Sequence, residues 1–112
     1  GYKEVAEYIK PIEKNYNKII VSNDRPLDQS YMFFLYYLKY DPKNYLASGG
    51  TTTGGFREDH FFGKYEFRGI SWEKEEKGNL YIGRMEDFPE GIGSMKTINY
   101  LNGKPAMVIV GK

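Results

Sequence analysis

His60 is the one histidine of the chain. It stands in Glu58-Asp59-His60, where an imidazole beside two carboxylates suits a general base or a metal ligand. A lone histidine in a sequence without cysteine makes a poor zinc set, so no metal site is expected. A partly exposed structural histidine beside Phe61 and Phe62 is the plainer role. Asp24 with Asp28, and Glu58 with Asp59, are carboxylate pairs of the kind glycoside chemistry employs. Nothing in their spacing brings two of them to a defined separation, and Asp28 is already placed to cap a helix. No glycine is followed by Lys and then Ser or Thr, which excludes a Walker-type phosphate loop. Gly91-Ile92-Gly93-Ser94-Met95-Lys96 opens as a dinucleotide fingerprint does, but it lacks the third glycine and leads into a strand. The run Ser48-Gly49-Gly50-Thr51-Thr52-Thr53-Gly54-Gly55 has amides that could cradle an anion; a surface loop is its simpler reading. No catalytic residue and no cofactor are expected in this chain.

One place still invites a ligand. Lys18-Ile19-Ile20-Val21-Ser22 is a branched apolar run bounded by polar residues, the signature of a buried parallel strand. In open α/β sheets ligands bind beyond the carboxyl ends of such strands. This strand should end at Asn23, so Asn23, Asp24, Arg25, Asp28 and Gln29 are the candidate ligand-binding residues. The alternative at the same positions is a plain strand-to-helix loop. Eleven tyrosines suit sugar stacking or interfaces, yet Tyr31, Tyr36, Tyr37 and Tyr40 sit at helical spacing, which core packing explains.

The elements that would position these residues follow from periodicity. Val5, Ile9, Ile12 and Tyr16 form one face of an amphipathic helix that Pro11 should kink or restart. A second helix, from about 29 to 40, is apolar almost all round and should be buried or covered by a partner. Asp41-Pro42 ends it, and Asp41 is placed to cap a short helical turn through Tyr45 with Pro42 at its first position. Tyr65 and Phe67 alternate with Glu66 and Arg68 in a half-buried strand over 64–70. A charged turn over 73–77 leads to a strand over 80–83, and 86–93 is loop. Strands over 96–101 and 106–110 meet at Asn102-Gly103, a strong hairpin signal. The fold expected is α/β: one domain over 1–112, a small open mixed sheet flanked by helices, ending in an antiparallel hairpin.

Composition narrows the function classes. The chain has 112 residues, 40% hydrophobic, 17% aromatic and 28% charged, which fits one globular domain. Net charge is +1, with acidic and basic residues interspersed; without a one-sign stripe, no nucleic-acid partner is expected. No segment approaches the roughly 18 apolar residues of a membrane span. Gly1 reads as the scar of a removed tag, and the domain as a piece of something longer.

Three stretches carry a family likeness. The first begins Asp28-Gln29-Ser30-Tyr31-Met32-Phe33-Phe34-Leu35 and runs on to Asp41-Pro42-Lys43-Asn44-Tyr45. The second is Phe62-Gly63-Lys64-Tyr65-Glu66-Phe67-Arg68-Gly69-Ile70-Ser71-Trp72, followed by Asn79-Leu80-Tyr81-Ile82-Gly83. The third is Lys96-Thr97-Ile98-Asn99-Tyr100-Leu101-Asn102-Gly103-Lys104-Pro105-Ala106. In this order, over nearly the whole chain, they resemble the C-terminal soluble domain of bacterial multi-pass glycosyltransferases of the protein O-mannosyltransferase and aminoarabinose transferase superfamily. The resemblance implies a parent that uses a polyprenyl-phosphate-linked sugar donor on the outer face of the cytoplasmic membrane. It implies catalytic carboxylates in an extracytoplasmic loop between early membrane helices, a region that this chain does not contain. The domain would then be an accessory one, partnered by the transmembrane part of its own parent and by a glycan, lipid or protein acceptor. A stand-alone carbohydrate- or peptide-binding module is the competing expectation. The Gly/Thr run at 48–55 is not part of the likeness.

Overall fold

A computed structural model describes residues 2–25, 27, 30–38, 60–99, 103 and 105–112. Asp28, Gln29, Glu58, Asp59, the Gly/Thr run, the stop at Asp41-Pro42 and Asn102 of the expected hairpin turn lie outside the described residues.

The branched run at 19–21 becomes β1 (Ile19–Val21), buried on both faces. It lies at the centre of the sheet, parallel to β3 (Tyr65–Phe67) on one side and to β4 (Leu80–Gly83) on the other. Outside this parallel trio the pairing turns antiparallel. β2 (His60–Phe62) pairs with β3, and β6 (Pro105–Gly111) with β4. β5 (Lys96–Asn99) closes the far edge against β6, giving the order β2-β3-β1-β4-β6-β5. The α/β class, the mixed open sheet and the antiparallel final hairpin are as the sequence predicts.

The two described α-helices lie on one face. α1 (Tyr2–Ile9) buries Val5, Ala6 and Ile9, and α2 (Ser30–Tyr37) buries Ser30, Tyr31 and Phe34. Their apolar residues join Ile19 and Val21 of β1, Tyr65 and Phe67 of β3, and Leu80 and Ile82 of β4 in the larger core. Period-two alternation sends Ile20, Tyr81, Val108 and Val110 to the opposite face, where Phe88 completes a smaller core with Ile70, Trp72 and Ile92 packed against it. Among the described residues that face is covered by connections, not helices. Trp72 meets Tyr81 and Phe88 edge-on, at 5.4 and 5.3 Å between ring centroids, and Lys112 Nζ sits 4.6 Å over its ring.

Several expectations need correction. Pro11 neither kinks nor restarts a long first helix: α1 stops at Ile9, and the chain passes through a turn into a 3-10 turn at Glu13–Asn15. Proline lacks the N–H that would continue the ladder. Lys64 fastens this segment by donating to the carbonyls of Glu13 and Tyr16, at 2.6 and 2.9 Å. Tyr65 donates to the Glu13 carboxylate; burial first, then that bond, pushes the phenol well above its ordinary range. The half-buried strand is shorter than 64–70 and is preceded by β2, which periodicity did not show. The β2–β3 link is the two-residue loop Gly63-Lys64. Gly63 has φ 56°, as a primed hairpin turn requires. The second helix spans Ser30–Tyr37 and buries Tyr31 and Phe34, and of the two expectations for it, burial or cover by a partner, burial does not hold for Met32, Phe33 and Tyr36, which are exposed. Further 3-10 turns occupy Trp72–Lys74 and Met85–Asp87. No helix among the described residues is long and apolar enough to cross a membrane.

Candidate functional site

The carboxyl ends of β3, β1 and β4 lie side by side, and the chain leaves them in different directions. β1 leads to α2 on the helix face, whereas β3 and β4 lead to Trp72 and Phe88 on the other. A parting of this kind marks the end of the sheet where open α/β folds take their ligands.

Asn23, Asp24 and Arg25 stand there, as the position of β1 requires. Asn23 is buried and its Nδ2 donates to the Phe67 carbonyl at the end of β3, at 3.4 Å. The Ser22 hydroxyl accepts the Asp24 N–H, and the Ser30 hydroxyl donates to the Ser22 carbonyl at 3.0 Å, so the start of α2 is tied to the end of β1. Asp24 is half-buried and Arg25 exposed. Asp28 and Gln29 lie outside the described residues, and so does the His60 side chain. The structure thus brings together three of the five candidates.

Arg84, which sequence reasoning did not single out, organises the rim. Its guanidinium donates to both carboxylate oxygens of Asp87, at 3.1 and 2.6 Å, and to the Arg25 carbonyl at 3.1 Å. It also lies 3.6 Å from Asp24 and 3.5 Å from Glu86. The hydrogen bonds to Asp87 raise the Arg84 pKa against the cost of burial. Asp87 in turn accepts the Arg84 backbone N–H at 2.7 Å. Gly83 is needed beneath: a Cβ there would come within 2.8 Å of the Asp87 carboxylate and 3.0 Å of Ile70. The signal that could have found Arg84 is the one that marked Asn23, a polar residue directly after an apolar parallel strand.

A second arginine closes the neighbouring connection. Arg68, just past β3, makes a two-pronged contact with Glu75 at 2.9 and 2.8 Å, and Glu75 also accepts the Ser71 N–H. The bonds from Arg68 hold the Glu75 carboxyl below its ordinary value of 4.5, with burial opposing them. A depressed folded-state pKa contributes stability above the unfolded value and loses it as pH falls through the folded one. Arg68→Met should therefore cost about 1–2 kcal/mol near neutral pH, discounted for the partial exposure of Arg68. The difference from the parent should shrink as pH drops below about 4.5. Urea midpoints of the two proteins between about pH 7 and about pH 3 test this; a pH-independent difference would show that the pair carries none of the acid sensitivity.

Beside the rim, on the loop face, a cleft of about 500 Å³ opens between residues 85–92 and the β5–β6 ladder. Phe88, Ile92 and Val108 form an apolar floor, Met85 and Pro89 one wall, and Glu86 and Glu90 stand at its edge. The Ser94 and Thr97 hydroxyls, 3.3 Å apart, mark the opposite wall. Gly91 to Lys96, which opens like a dinucleotide fingerprint, thus borders the cleft and leads into β5. The described residues gather no group of three or more histidine, cysteine or acidic side chains that could hold a metal ion. The arrangement presents charge at a rim and apolar surface in an open cleft, which is the equipment of binding. No protein-family model, curated protein or solved structure matches the chain.

Proposed function

We propose that this chain is an accessory domain of a membrane-embedded glycosyltransferase that uses a polyprenyl-phosphate-linked sugar, and that it helps recognise the acceptor on the extracytoplasmic side. Its partners are the transmembrane part of its parent and a glycan, lipid or protein acceptor. The observation that carries the binding role is the charged rim of Asp24, Arg25 and Arg84 running into an open apolar cleft. The transferase parentage rests on the likeness of the three stretches quoted above. Their described parts include α2, β3, β4 and β5, all elements of this one fold. Catalysis belongs, on this reading, to the parent's membrane part.

An antibody raised to the domain, used on fractionated source cells, tests the parentage. A membrane-integral band much larger than 13.0 kDa, with its epitope reachable from outside, is the expected result. A soluble band near 13.0 kDa would overturn it and leave the stand-alone carbohydrate- or peptide-binding module, which the open cleft favours. Sugar transfer by the isolated domain would equally defeat the accessory role.

A further inference from the structure

The geometry points to the cleft between residues 85–92 and the β5–β6 ladder as a receptor for a lysine- or arginine-bearing peptide segment, held by Glu86 and Glu90 over an apolar floor. This rests on the reading of this end of the domain as a binding surface, and not on the transferase parentage.

The charge balance at the cleft is one-sided. Its lining contains two carboxylates and no cation. Glu90 is exposed and forms no ion pair with a described residue, and Glu86 reaches Arg84 only at 3.5 Å. Arg84 is already committed to Asp87. On the same face Lys112 donates to the Trp72 carbonyl, at 2.5 Å, and lies over its ring. A cationic head arriving at the mouth therefore meets Glu90, which pairs with no described residue, and Glu86, whose one described partner, Arg84, is shared with Asp87.

The floor selects what carries that head. Phe88 and Val108 are almost fully buried, Ile92 is half-buried and Met85 is 59% exposed, so an aliphatic stem can lie along Met85 and Ile92 with its charge left at the wet edge. Lysine and arginine side chains have this form. A volume near 500 Å³ holds one such side chain and an apolar neighbour. Pairing along the β5 edge is not the mode: that strand is four residues long, carries Lys96 and loses register between Ile98 and Asn99, features that discourage strand addition.

The test is a titration of the 15N-labelled chain, followed by amide NMR, with acetyl-Leu-Lys-Leu-amide and with acetyl-Leu-Glu-Leu-amide. The lysine peptide should shift amides within 85–97 in a saturable way, with a Kd on the order of 1 mM, weakened by added salt. Glu86→Gln together with Glu90→Gln, both surface changes, should weaken it about fivefold with the dispersed spectrum retained. Equal shifts from the glutamate peptide, or undiminished binding by the double variant, would overturn the inference. Shifts centred on Asp24 and Arg25 would overturn the cleft but keep this end as a binding surface. No shift from either peptide, nor from mannose oligosaccharides, would sink both; a response to the oligosaccharides alone would replace the peptide by a sugar.

Discussion

Replacing Phe34 by alanine should cost about 3–5 kcal/mol, the largest single loss expected in this domain. Phe34 is fully buried and meets three rings at once: Tyr2 of α1 at 6.1 Å, Tyr65 of β3 at 6.4 Å and Phe67 at 5.7 Å. It is the point where both helices and the parallel sheet touch, so its removal leaves a cavity that no one element can close by moving alone. A loss of that size is a large share of the 5–15 kcal/mol typical of a folded domain, and should lower the melting temperature by roughly 15 °C. Phe33 provides the control. It has the same chemistry one residue earlier, but is 38% exposed and lies flat on Tyr2 at 4.6 Å. Phe33→Ala should cost about 1 kcal/mol or less. Urea unfolding of both variants, with an unchanged m-value, measures the contrast. Equal losses would mean that the side of α2 facing the sheet is not the one described.

The pair also shows what the sequence could and could not disclose. Val5 and Ile9 of α1 repeat on one face, so the periodicity identified the buried side in advance. In α2 every residue from Tyr31 to Tyr37 is large and apolar or aromatic. Such a helix has no polar face to exclude, and only the sheet beneath decides that Tyr31 and Phe34 turn inward. β1 and β4 were legible because burial on both faces demands continuous apolar runs. β2 was not: three residues are too short for a period, and its clue was the turn residue Gly63.

The site was legible to a similar depth. That Asn23 to Arg25 would stand at the carboxyl end of β1 followed from one buried parallel strand; that residues so placed meet a ligand rests on the rule for where such sheets bind. That Asn23 would turn inward to the Phe67 carbonyl, and that Arg84 would reach Asp24 and the Arg25 carbonyl, depended on strand order. β4 is adjacent to β1 only because the connection after β3 crosses the loop face. The cleft was further from view. Its walls, residues 85–92 and the β5–β6 ladder, are brought together by the antiparallel pairing of β4 with β6, which places Gly83 opposite Val108. No local pattern encodes that meeting.

Arg84→Ala should cost about 3 kcal/mol, second only to Phe34. The reason lies in the partner it abandons. The Asp87 side chain is 4% exposed and that of Arg84 22%, so the deletion leaves a carboxylate out of water to which, among the described residues, only the Arg84 backbone N–H still donates. Removing one member of a buried pair costs more than the pair is worth. Asp87→Asn should cost less, about 1–2 kcal/mol, because an amide oxygen can still accept that N–H and the arginine that remains is better hydrated. Changing both, as Arg84→Ala with Asp87→Asn, should then fall clearly short of the sum of the single losses. Chemical unfolding of the three variants decides it. Additive losses, or an Arg84→Ala protein as stable as the parent, would mean that the guanidinium is not a staple and is free to meet a ligand at the rim. Non-additivity would mean that Arg84 chiefly holds residues 84–87 in the shape that forms one wall of the cleft. Its influence on binding would then be exerted through Met85 and Glu86, and the contacts to be mutated for recognition would be Glu86 and Glu90.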